Sequence, residues 1–320
     1  INGAQSKGIS IRIANQIFDQ LKSFGNYSFS KAHASAFAVI TYWSAWLRHH
    51  YPTEFFVGLL RNQPIGFYPE HVLISDAQKI GVCFLPVDLR YSQRKSTLQA
   101  GKIRLGLNTI KGVGETHLNT LLKQRKSRQY KSLSIIIETT NLPRSTMELL
   151  ILSGALDYLK PSIGRRQMLW QLTNAYTQRS KNTHEQMFPY TEQVRLNPMS
   201  QEERHKYEFQ LNKTLINHHP TYLYRKILRK YQTTLISELQ HMKNGTRITI
   251  AGIIITRQSP PTANGIRFIA LEDRTGIINI IIGLNIYKSY IQAYYSNLVL
   301  VKGKIQHKYG STNLIAETLT

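Results

Sequence analysis

The apolar residues of this chain change their period along its length, and no single element or layer can satisfy both periods. From Ile11 to about Leu60 they recur at helical spacing in two long segments, broken at FGNYSFSK where Gly25, Asn26 and Ser28 interrupt the pattern. From Arg247 onward the runs RITIAGIIITRQ, IRFIALED and IINIIIG are β-branched and bounded by turn residues at Pro260-Pro261, Asn264-Gly265 and Thr275-Gly276. LNIYKSYIQAYYSN then returns to helical spacing, with Ile286, Tyr290 and Tyr294 on one face, and LVLVKGKIQHKYG and STNLIAETL supply two more strands. Five strands with a helix between the third and fourth is the order of an OB-fold, a small barrel often used for oligonucleotides. Phe268 is the obvious stacking aromatic in its early strands, and a barrel used only for packing is the alternative.

Between these ends the pattern is helical with breaks. Pro64, Gly66, Pro69 and Gly81 surround a short helix at VLISDAQKIG, followed by VCFLPV, by the briefly alternating IRLGLNTI, and by the amphipathic KGVGETHLNTLLKQR. A further helix, TMELLILSGALDYL, starts behind Pro143, and the polar stretch Thr173 to Gln201 is expected to be a linker, with two more helical stretches before Gly245. The expected fold is therefore α+β and multidomain. Residues 1–100 form a helical region, 101–172 a helix-hairpin-helix region, 173–244 a linker with helices, and 245–320 the barrel.

Charge narrows the partner. The 41 Lys and Arg against 18 Asp and Glu leave +23, which favours a polyanion, nucleic acid before a membrane surface. The single Cys83 excludes an intrachain disulfide, and no Cys/His grouping has metal-ligand spacing, so a cytoplasmic protein without structural zinc is expected. AFAVITYWSAWL, Ala36 to Leu47, is too short to span a bilayer and reads as a buried helix, with Trp43 and Trp46 in its core. No signal peptide opens the chain, which starts in mid-pattern at Ile1 and reads as a fragment.

Lys111-Gly112-Val113-Gly114 opens a helix. Such a turn can aim backbone N–H groups and a helix N-terminus at a phosphate, with Lys111 as counter-charge, which is how a helix-hairpin-helix grips DNA without reading bases. A tight turn that needs Gly only for its geometry is the alternative. Catalytic patterns are missing: Asp76, Asp88 and Asp157 lie singly, Glu272-Asp273 reads as a turn former, and His49-His50 and His218-His219 read as surface or packing residues.

Several long motifs occur together. FGNYSFSKAHASAFAVITYWSAWLRHHYPTEFF and the preceding INGAQSKGI resemble the finger region of the bacterial DNA polymerase III alpha-subunit family, and RNQPIGFYPEHVLISDAQKIGV resembles its error-prone branch. IRLGLNTIKGVGE is similar to that family's helix-hairpin-helix entry, LLILSGALDYL and RRQMLWQL to its following helices, and NPMSQEERHKYEFQLNKTLINHHP to its approach to the OB domain. The resemblance implies template-directed dNTP addition in translesion synthesis and repair. The Mg²⁺ of that reaction would be held by palm carboxylates outside this chain, so no cofactor is expected here and the chain alone is expected to be inactive. It implies nucleotide-phosphate contacts from Lys31 and His33, and DNA contacts from Lys111, Gly112, Gly114 and Phe268. Expected partners are primer-template and single-stranded DNA, the missing N-terminal polymerase region and, through Gln186, Met187 and Phe188, a sliding clamp; His184 stands where clamp peptides usually begin with Gln. A stand-alone nonspecific DNA-binding protein and a nonfunctional gene remnant are the alternatives.

Overall fold

The computed structural model describes residues 1–27, 30–66, 68–127, 130–159, 164–180 and 196–320. The chain forms two compact units, Ile1–Tyr51 and Pro52–Thr320.

The first unit is helical: α1 (Asn2–Gln5), α2 (Ile11–Tyr27) and α3 (Lys31–His50). Ser30 starts α3 by accepting a hydrogen bond from the His33 amide, one of the first-turn donors a helix leaves without partners. The expected burial of Ala36–Leu47 is not met. No described residue of α3 is buried, Trp43 is 61% exposed and Trp46 43%. An apolar set that runs around a helix needs neighbours on several sides, and a unit of two long helices supplies too few. Trp46 instead packs on its own helix end, 4.6 Å from the His50 ring and 5.7 Å from that of Tyr51.

The second unit begins with α4 (Pro52–Arg61) and α5 (Glu70–Lys79). A small sheet follows, β1 (Phe84–Leu85), β2 (Thr97–Gln99) and β3 (Lys102–Arg104), in the order β1-β3-β2 with β1 parallel to β3. Helix α4 packs against β2 and β3, and four helices follow: α6 (Glu115–Ser127), α7 (Leu133–Thr140), α8 (Arg144–Leu152) and α9 (Gly164–Ser180). Their boundaries follow local chemistry. Ser132 caps α7, which ends at Asn141 in the left-handed region, and Pro143 precedes α8. Phe56, Ile74, Leu89, Ile103, Leu118, Ile136, Met147, Leu150 and Leu172 share one core. Inside it Arg165, 5% exposed in its side chain, bridges Asp157 at 2.7 Å and Glu208 at 2.6 Å. Helix α9 runs to Ser180, into the stretch expected as linker, where Tyr176 donates a hydrogen bond to the Leu142 carbonyl.

Helix α10 (Gln201–Asn212) opens with a capping box between Ser200 and Glu203. Short helical turns follow, α11 (Arg225–Leu228) among them. The barrel comprises β4 (Arg247–Gln258), β5 (Arg267–Glu272), β6 (Ile277–Ile282), α12 (Leu284–Ser289), α13 (Ile291–Tyr295), β7 (Leu298–Lys308) and β8 (Ser311–Leu319). It closes in the order β4-β5-β6-β8-β7, with β7 antiparallel to β4 and β6 parallel to β8. Closure abolishes sheet edges, and this order with a helical insert before the fourth strand makes the barrel OB-fold-like. The inward residues Ile250, Ile269, Leu271, Ile280, Val301 and Leu314 fill it. Gly303 sits where β7 and β8 leave no room for a side chain, since a Cβ there would lie 2.2 Å from the Ile315 carbonyl oxygen. The expected helix between strands is two short ones, split where Tyr290 leaves helical geometry, yet Ile286, Tyr290 and Tyr294 still face the barrel. Among the described residues no helix is long and apolar enough to cross a membrane.

Candidate nucleic-acid interface

The turn Lys111–Gly114 lies between the 3-10 turn Leu107–Thr109 and α6. Buried Ile110, Val113 and Leu118 fix it to the core, while Lys111, Gly112, Gly114, Glu115 and Thr116 are exposed. Lys111 donates its amide to the Leu211 carbonyl at 2.8 Å, which ties the turn to α10. Helix α6 begins its internal bonding with the Leu118 amide on the Gly114 carbonyl at 3.0 Å, so the amides of Glu115, Thr116 and His117 precede any intrahelical acceptor. They point out of the helix end that carries its positive dipole.

The two glycines have different reasons to be there. Gly112 sits at φ +90°, which the backbone reserves for glycine, and a Cβ would lie 2.9 Å from Leu149 Cδ1 on α8, a side-chain end that would have to move. Gly114 has neither constraint, since a Cβ there would meet nothing within 4 Å. Its bareness leaves open backbone at the helix start. Neighbouring charge is mixed: Arg94 pairs with Glu115 at 2.9 Å, offsetting an acid at the helix N-terminus. His117 is held away from the turn by Thr146, 3.0 Å from its Nδ1.

The remaining sequence candidates are dispersed. Lys31 and His33 are exposed on the first turn of α3, in the first unit, where the His33 ring packs 4.4 Å from Phe37. Phe268 is half-buried on β5, paired with Gln258 of β4 and Ile281 of β6, on the strand face opposite the inward Ile269. Gln186, Met187 and Phe188 lie outside the described residues.

Three of the aspartates serve structure. Asp88 holds Arg90, Asp157 holds Arg165, and Asp273 accepts from the amides of Thr275, Gly276 and Ile236. Among the described residues no group of three His, Cys, Asp or Glu is placed to hold a metal ion, so these side chains do not fit a two-metal phosphoryl-transfer site.

Asp273 is therefore the turn former expected of it, but Glu272 is not. Its side chain is 1% exposed and faces Lys79 Nζ and His219 Nε2, each at 3.6 Å, linking the barrel to α5 and to the segment after α10. The His219 ring is held from its other side, where Nδ1 lies 2.8 Å from the Thr221 hydroxyl and 3.3 Å from its amide nitrogen. Nearby His71 is pushed below the ordinary histidine range, by burial first and by His219, against the opposing pull of Glu272. A strand-end acid beside a turn gives no sequence signal of such a cluster, because its partners are more than fifty residues away.

Residues 81–168 match the family model for a helix-hairpin-helix motif, which includes the whole Lys111–Gly114 turn and α6. An error-prone DNA polymerase from Corynebacterium diphtheriae is 33% identical over 318 residues, covering 98% of this chain and 30% of that protein. Those from Bdellovibrio bacteriovorus and Vibrio vulnificus are 32% and 29% identical, over 99% and 100% of this chain and 32% and 31% of their own lengths. Such a helix-hairpin-helix unit joined to an OB-fold-like barrel defines a class of multidomain α+β protein. Within it, the chain belongs to the error-prone branch of the bacterial DNA polymerase III alpha-subunit family, and it spans about a third of the length of the curated relatives it matches.

Proposed function

We propose that this chain is the DNA-handling part of an error-prone DNA polymerase. Its helix-hairpin-helix turn holds the phosphate backbone of the primer-template, and its barrel, through Phe268, contacts single-stranded template. Residues 1–100 contribute to the fingers, with Lys31 and His33 toward the incoming nucleotide; 101–172 grip the duplex, 173–244 connect, and 245–320 form the barrel. Template-directed synthesis across damage belongs to the whole polymerase, whose Mg²⁺-binding carboxylates lie in a palm outside this chain. A sliding-clamp contact through Gln186, Met187 and Phe188 completes the reading.

The observation that carries it is the exposed Lys111–Gly114 turn, with the first amides of α6 beyond intrahelical reach and bare backbone at Gly114. Phosphate oxygens satisfy such amides, and Lys111 adds charge without base preference. Lys111→Glu combined with Gly114→Val is expected to weaken binding of a fluorescent duplex by at least tenfold, whatever its sequence. Unchanged affinity in a variant with the parental melting temperature would remove the turn as the duplex site.

A further inference from the structure

A second basic cleft lies away from the turn. It has a volume of about 730 Å³ and is walled by the segment after α10, by Ala251 on β4 and by the β5–β6 turn. Neither Phe268 nor any residue of the Lys111–Gly114 turn lines it.

Its charges do not balance. Three arginines line it, Arg225, Arg229 and Arg274, with Asp273 as their one carboxylate. Asp273 is spent: one of its oxygens accepts the Thr275 and Gly276 amides and the Thr275 hydroxyl, and the other accepts the Ile236 amide. It is also 4% exposed, so it can offer little to a guanidinium in the cleft. Arg225 is spent too. It bonds Glu202 at 2.6 Å and lies 4.0 Å over the Tyr222 ring, which stacks at 4.0 Å on His218. Arg229 and Arg274 are exposed and have no ion-pair or hydrogen-bond partner among the described residues. The cleft thus combines a fixed wall, in the clamped Tyr222, with two guanidinium forks that form no ion pair with its one carboxylate.

We infer that this cleft binds phosphate groups, as a site separate from the helix-hairpin-helix turn, with Arg229 and Arg274 as its ligands. Guanidinium is the side chain whose planar fork matches phosphate oxygens two at a time, and a concave wall lowers the solvent screening that weakens isolated surface charges. The phosphates can come from a single strand passing the barrel or from a free nucleoside triphosphate, and both present closely spaced oxygens.

The test uses the full chain carrying Lys111→Glu, so that the turn does not mask the cleft, with and without Arg229→Ala plus Arg274→Ala. Two probes are titrated, a short fluorescent oligothymidylate and inorganic tripolyphosphate. At least a tenfold loss is expected for one or both. For the oligonucleotide, removing two phosphate contacts should flatten the slope of log affinity against log salt by about 1.4. Loss with the oligonucleotide assigns the cleft to a strand, and loss with tripolyphosphate alone assigns it to a nucleotide. If the alanine pair lowers the melting temperature, Arg229→Gln plus Arg274→Gln retains the apolar stems and takes its place. Parental affinity for both probes in a folded double variant would overturn the site.

Discussion

At the scale of single residues, Gly112 and Gly114 separate a structural glycine from one that keeps a surface open. Gly112→Ala forces an L residue to φ +90° against Leu149, and a stability loss of about 1–3 kcal/mol is expected, read as a lower midpoint in urea. Gly114→Ala adds a methyl to empty space at an ordinary backbone angle, so its stability should stay within about 0.5 kcal/mol of the parent while duplex binding weakens. The opposite pattern would make the turn a matter of geometry alone. Both glycines look alike in sequence, because the distinction lies first in the left-handed backbone angle of Gly112 and then in a leucine on another helix. His71 gives a second residue-scale expectation. Its folded pKa is depressed, by burial first, so the unfolded chain takes up a proton at higher pH than the folded chain does. The stabilisation is complete above about pH 6.5, the ordinary histidine value, and is lost as pH falls through the folded value. His205 is depressed as well, again chiefly by burial, and adds to the same slope. His71→Gln should therefore flatten, without abolishing, the fall in melting temperature between about pH 7 and pH 5; an unchanged profile would exclude His71 from it.

At the scale of elements, the barrel was legible in nearly every strand. Its β-branched runs and the Thr275-Gly276 turn place β4, β6 and β8 within a residue of their observed ends, because each strand alternates between a filled interior and an outer face. Gly303 leaves no room for a side chain between β7 and β8, and Gly303→Ala should cost about 3 kcal/mol by driving a methyl into the Ile315 carbonyl; a melting temperature within error of the parent would show that β7 and β8 can part without penalty. The helices were less legible. Periodicity marks α3 as strongly apolar but cannot say what covers it, and Ala36–Leu47 is exposed within its own unit. Helix α9 has almost no apolar asymmetry and looked like linker beyond Thr173, yet it is held by buried Leu172 and by the Tyr176 hydroxyl on Leu142. The Glu272, Lys79 and His219 cluster was invisible for a related reason: pairings between distant segments leave no local period.

At the scale of the whole molecule, the excess of +23 extends over the whole chain, first helical unit included, so nucleic-acid affinity should fall steeply with salt and depend little on sequence. The chain by itself is expected to give only background primer extension with Mg²⁺, Mn²⁺ and all four dNTPs, since among its described residues no group of three His, Cys, Asp or Glu is placed to hold a metal ion. Extension that survives repurification would place a catalytic metal site within it. Duplex binding as proposed for this chain requires that phosphate reach the amides at the start of α6. Amide resonances of the isotope-labelled chain, followed while short duplex DNA is added, report on those groups individually. The predicted result is that Gly112, Gly114, Glu115 and Thr116 shift early and saturate together, and that Lys111→Glu suppresses the shifts. Duplex binding with these four resonances unmoved, and the shifts confined to the barrel, would contradict the account.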